Sequence, residues 1–184
     1  VPATDQSQVR SGEAVVTKGA GAQVAIRLDD GTVISLAGDT RVAFPADDRD
    51  RLDVEYGNVT AEVQPRPAEH PLVIRTREAR LEVLGTRLSV ACGDQRTRVD
   101  VLEGGIRVTR LSDERSVTLA EGQSAEVSPQ ADLRPAPIPT VPDHWSLDFN
   151  DGLPPGWQNG QLVFDDLPPG SRAAARTAAM EENG

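Results

Sequence analysis

Between about Gly12 and Val127 the apolar residues come in short runs that alternate with polar ones. Val24, Ile26 and Leu28 are interleaved with Gln23, Ala25 and Arg27; Leu81 and Val83 flank Glu82, Val99 and Val101 flank Asp100, and Ile106 and Val108 flank Arg107. Period two marks strands with one buried face. Similar runs at 14–17, 32–36, 41–44, 52–55, 58–63, 72–76, 87–90, 117–119 and 124–127 extend the pattern to about a dozen strands. Many short strands separated by turn residues predict an all-β sandwich, barrel or solenoid.

The turns share a chemistry. DDGTVISL, EYGNVTAEV, VLGTRLSV, LEGGIRV and AEGQSAEV each place a glycine just before a strand, at Gly31, Gly57, Gly85, Gly104 and Gly122. Their separations of 26, 28, 19 and 18 residues are too uneven for a strict repeat. They predict that the sheet turns a corner at each glycine, where a residue without Cβ takes positive φ or lies against neighbouring backbone. LEVLGTRLSV is then two strands with a bend or bulge at Gly85 and Thr86.

After Val127 the pattern stops. SPQADLRPAPIPTVP carries prolines at 129, 135, 137, 139 and 142, which withdraw backbone donors and favour an extended spacer over 128–143. Beyond it, 144–184 holds both tryptophans, two PPG turns, strand candidates at Ser146–Phe149 and Gln161–Phe164, and a stretch of high helix propensity from Ser171. About 40 residues are too few for an independent core, so this tail reads as the opening of a second domain. The predicted organisation is a flank over 1–11, a β domain over 12–127, a linker over 128–143, and a short, mostly irregular extension with a possible terminal helix.

The glycine motifs carry a resemblance. LDDGTVISLAGDTRVAF, GNVTAEVQPRPAEHPLVIRT, LEVLGTRLSV, VDVLEGGIRV and VTLAEGQSAEV occur in the order of the motifs of FecR-family extracytoplasmic domains. The first contains that family's D-G-T-x-h-x-L and the last its L-x-x-G-Q. The resemblance covers roughly residues 10 to 128. It implies a curved, solenoid-like or sandwich-like β domain in a sensor that relays a surface signal to an extracytoplasmic-function sigma factor. The motif positions Gly31, Thr32, Gly57, Gly85, Thr86, Arg87, Glu103, Gly104 and Gly122 carry over as structural residues. Family members commonly have an anti-sigma helical region and one transmembrane helix upstream, neither of which lies within these residues. LDFNDGLPPGW, after the linker, resembles the opening strand of a concanavalin- or laminin-G-like domain.

Charge narrows the partners. A net charge of −10 argues against nucleic acid, whose phosphates an acidic surface repels. No run approaches the roughly 20 apolar residues that span a bilayer. The chain opens on Val1 and not Met, which leaves room for an upstream signal or membrane segment. Membrane contact is expected only through such a segment. With one cysteine, Cys92, neither an internal disulfide nor a thiolate cluster can form.

Catalytic groups do not converge in the sequence. His70 and His144 sit in a turn and at the linker exit, without metal-ligand spacing. Ser35, Ser89, Ser116 and Ser124 are strand residues outside any nucleophile motif. Cys92 reads as an inert strand-end thiol. Asp47, Asp48 and Asp50 lack calcium-loop spacing, and Asp29 and Asp30 read as turn residues. For Glu103 a structural bond to a turn backbone, Arg87 or Arg107 competes with partner recognition. Trp145 and Trp157 either fill a local apolar cluster or stack on sugar. The sequence thus predicts no enzyme and no cofactor. It predicts a periplasmic or extracytoplasmic, membrane-anchored protein-binding module in sigma-factor signalling. The alternative is a carbohydrate-binding surface protein, sugar bound by the C-terminal segment and the β domain acting as stalk.

Overall fold

A computed structural model describes residues 8–139 and the backbone of 157–158 and 161–162. The chain divides into two compact units, Val1–Pro139 and Thr140–Gly184. The described residues contain strands and no helix. The first unit holds β1 (Ala14–Val16), β2 (Val24–Arg27), β3 (Val33–Leu36), β4 (Arg41–Ala43) and the long β5 (Arg51–Glu62). It continues with β6 (Leu72–Arg75), β7 (Ala79–Val83), β8 (Arg87–Gly93), β9 (Arg96–Glu103), β10 (Gly105–Arg110), β11 (Ser116–Ala120), β12 (Gln123–Val127) and β13 (Ala136–Pro137).

These thirteen strands form one hydrogen-bonded sheet that curls on itself. Its first half runs β1-β4-β5-β6-β7-β10-β11 and its second β2-β3-β5-β8-β9-β12-β13. Strand β5 belongs to both. Arg51–Tyr56 pairs with β4 and β6, and Gly57–Glu62 pairs with β3 and β8. Chain order explains the sequence rhythm: a hairpin in one half is followed by a crossing to the other. Gly57, Gly85, Gly104 and Gly122 stand at such crossings, as the corner reading predicts. Gly31 differs. It sits in the β2–β3 hairpin within the second half, where the Leu28 N–H donates to Thr32 C=O at 2.9 Å.

Period two sets the core. Ile34, Leu36, Leu52, Val59, Leu72, Ile74, Leu81, Leu88, Val99, Val108 and Leu119 are all essentially buried, and the alternate residues face outward. Each such aliphatic side chain contributes about 1.5–3 kcal/mol on leaving water. Among the described residues aromatic side chains supply little, Phe44 being only partly buried against the cluster.

At Gly85 φ is +146°, and an added Cβ would lie 3.0 Å from Pro65 Cα. Positive φ and backbone contact together explain why the strand run breaks there. Gly85→Val is expected to destabilise the body by about 1–3 kcal/mol, read as a lower urea midpoint; an unchanged midpoint would contradict the corner geometry.

The proline-rich segment does not leave the body at Val127, where the spacer was expected to begin. Ala136–Pro137 pairs antiparallel with β12, the Ile138 N–H donates to Gly122 C=O at 2.9 Å, and Leu133 is buried. Prolines are excluded from central strands, but an edge strand needs donors on one side only. In the second unit, β14 (Trp157–Gln158) pairs with β15 (Gln161–Leu162). The expected strand at Ser146–Phe149, the surroundings of His144 and Trp145, the terminal helix and the lectin-like likeness lie outside the described residues.

Candidate interaction surface

The motif residues converge on backbone. Asp30 Oδ1 accepts the Thr32 N–H at 2.9 Å and Oδ2 its hydroxyl at 3.0 Å, while the Thr32 oxygen accepts the Gln64 N–H at 3.2 Å. Thr32 thereby ties the β2–β3 turn to the end of β5. Thr86 repeats the device, its hydroxyl donating to Gly105 C=O at 2.8 Å. Gly104 packs against the Gly85 carbonyl, where a Cβ would lie 2.9 Å from the oxygen. Buried threonines and a close-packed glycine pair thus close the crossings. Arg87 pairs with Glu62 at 3.5 Å, and Glu103 stands opposite Arg87 in the β8–β9 ladder, exposed at the register shift.

Three residues that are not among the motif positions, Thr17, Thr40 and Arg66, complete this framework. The Thr17 hydroxyl donates to Ala37 C=O at 2.5 Å and accepts the Thr40 N–H at 3.0 Å, and Thr40 Oγ1 accepts the Asn58 N–H at 2.9 Å. Arg66, between two prolines, donates to Asp30 at 2.5 Å and to Asp50 at 2.6 Å, its side chain only 11% exposed. Long-range pairing of this kind leaves no trace in local spacing; only the flanking prolines, which fix the loop, hint at it.

The carboxylates are engaged. Asp48 Oδ1 accepts the Asp50 N–H at 3.0 Å, Asp50 binds Arg66, and Asp47 lies 3.7 Å from Arg51. Burial pushes Asp30 up, but hydrogen bonds from Thr32 and Arg66 outweigh it and bring the carboxyl below its ordinary range. Hydrogen bonding to Arg110 brings Asp113 down to about 2. Burial pushes the Cys92 thiol up to about 11, against a hydrogen bond with Thr97 and assisted by the Glu78 charge. His70 is exposed, and the four strand serines lie in β3, β8, β11 and β12.

Asp113 gives a pH prediction. Its folded value lies below the ordinary 3.8, so its stabilisation is present above about pH 4 and fades as pH falls toward 2. Wild type is expected to lose its stability advantage over Asp113→Asn across that window, read from urea midpoints. A gap between the two proteins that holds steady from pH 5 to about 2 would contradict the assignment.

Two outward faces remain. On the second half, Ala25, Ser35, Thr60 and Ser89 stand in register across β2, β3, β5 and β8 and floor an open trough of about 440 Å³, rimmed by Asn58 and Ala91. The first half is charged: Asp53, Arg75, Arg80, Thr109 and Ser116 are in register across β5, β6, β7, β10 and β11. Arg75 and Arg80 are directly opposed, a like-charge juxtaposition that costs stability. Arg80 turns to Glu82 at 2.9 Å. These faces offer hydrogen-bonding and cationic contact area.

The family described as FecR protein matches residues 13–107, more than half of the chain. The chain belongs to the FecR family. The FecR match ends within β10, and β11 to β13 continue the same sheet beyond it. Two crystal structures of a candidate anti-sigma factor from Parabacteroides distasonis, at 1.65 and 2.50 Å, are similar to this FecR chain. Each has a TM-score of 0.58 and 23% identity over 68% of this chain and 59% of that one. The likeness shows a shared fold, and this chain spans about three-fifths of that protein's length. No curated protein matches the chain.

Proposed function

We propose that this FecR-family chain is a non-catalytic, extracytoplasmic module of a membrane-anchored regulator that controls an extracytoplasmic-function sigma factor through protein–protein contacts. Family membership over residues 13–107 carries the reading. The fold shared with a candidate anti-sigma factor supports it. So does the use of the motif residues: Thr32, Thr86, Gly57 and Gly104 hold crossings and turns, so binding falls to the sheet faces and edges. A thiol held near 11 is protonated at neutral pH and is a poor nucleophile. In-frame deletion of residues 13–107 from the native gene, followed by transcript profiling, tests the role. Signal-dependent transcription from sigma-factor promoters is expected to be lost or made constitutive; an unchanged profile would overturn the proposal.

A further inference from the structure

We propose that β11 is a self-association edge, at which two copies of the chain pair antiparallel through Ser116–Ala120 about a two-fold axis at Thr118. Four strands end the two sheet halves: β1 and β11 in the first, β2 and β13 in the second. An unpaired edge is a template for another strand, and proteins blunt it with short strands, prolines, charges or bulges. β13 contains Pro137 between Pro135 and Pro139. β1 and β2 have only 3 and 4 residues, and Arg27 ends the latter. β11 has none of these devices; its five residues are SVTLA, pairing with β10 in unbroken register.

The hydrogen-bond phase shows which groups are free. Beyond the hairpin end the Arg110 N–H donates to Arg115 C=O at 2.8 Å, so in the alternating ladder Val117 and Leu119 bond to β10. On the other side of β10, the Leu111 N–H donates to Glu78 C=O at 2.9 Å, which fixes the same phase independently. The backbone groups of Ser116, Thr118 and Ala120 therefore point away from the sheet. The Ala120 N–H is met by the Gln123 side chain at 2.9 Å. Ser116 and Thr118 have no backbone partner on that side among the described residues.

The flanking charges select the occupant. Antiparallel pairing centred on Thr118 sets Ser116 against Ala120, Val117 against Leu119, and Arg115 against Glu121 of the second copy, and symmetry repeats each contact. Glu121 is exposed and has no ion-pair partner among the described residues, while the Arg115 side chain is 72% exposed and has Asp113, at 3.4 Å, as its one ion-pair partner among them. The edge is thus charge-complementary to itself at both ends, with neutral residues between. Gln123 covers the Ala120 N–H in the single chain and yields it to Ser116 C=O of the second copy.

Sedimentation of the full 184-residue chain across concentration tests this. The wild type is expected to dimerise reversibly. Thr118→Pro removes only an outward N–H, so it is expected to keep the wild-type melt and abolish dimers. Arg115→Glu or Glu121→Arg alone should weaken association about tenfold, by turning two exposed ion pairs into like-charge contacts. The double exchange Arg115→Glu/Glu121→Arg should restore it. A wild type that stays monomeric to millimolar concentration would overturn the proposal, as would a dimer that survives Thr118→Pro or ignores the charge exchange.

Discussion

Gly57→Val is expected to lower the stability of the β body by about 3–5 kcal/mol, among the largest effects a single residue can have here. Gly57 lies where β5 passes from one sheet half to the other, with φ of +94°. A non-glycine residue there carries backbone strain of about 1–3 kcal/mol. The larger cost is steric, because a Cβ would lie 2.5 Å from Thr40 Cα and 2.7 Å from Asp39 C=O. Both are backbone atoms, and neither can swing aside. Thr40 is also fully buried and bonds Asn58 and Thr17, so its displacement would loosen the crossings on both sides. Chemical denaturation of the purified variant gives the measurement; a loss under about 1 kcal/mol, the centre of the ordinary mutational range, would contradict the packing described.

Ending the chain at Val127 instead of Pro139 is expected to cost about 2–4 kcal/mol. Removal of 128–139 exposes the apolar surface that Leu133 covers, worth about 1.5–3 kcal/mol. It also strips Arg110 of two acceptors, Ser128 C=O at 3.2 Å and Ala131 C=O at 2.6 Å, leaving a buried guanidinium bound only to Asp113. The uncovered edge of β12 adds an aggregation hazard. Fragments 8–127 and 8–139 can be compared directly by thermal melt and light scattering. Equal melts would show that the segment only lies on the body without stabilising it.

The core and the crossings are legible in the sequence, and the long-range ties are not. Period two gave the buried set because alternation alone decides which side of a strand meets the core, and Leu81, Val83, Val99 and Val101 all lie there. The glycine rhythm gave the crossings at 57, 85, 104 and 122, since positive φ selects glycine locally. Gly31 followed the same motif into a hairpin, because a tight turn and a crossing make the same local demand. The spacer expected over 128–143 instead packs a strand at Ala136–Pro137 against β12, since what prolines deny to a central strand they do not deny to an edge. Thr17, Thr40 and Arg66 were silent: their partners stand 16 to 36 residues away, and only the folded register reveals them. Pairing between the ends of β11 was likewise hidden, because the outward phase of Ser116 and Thr118 follows from the ladder and not from composition.

The most direct test of the regulatory reading is capture of a partner by the β body itself. Fragment 8–139 and the full chain, immobilised separately, would be offered the extracytoplasmic parts of whichever surface proteins have genes adjoining this one. The account predicts equal binding by both and none by fragment 8–139 carrying Gly57→Val. Binding that needs residues 140–184 and is unaffected in the Gly57→Val full chain would contradict it, and would move the function to the C-terminal unit.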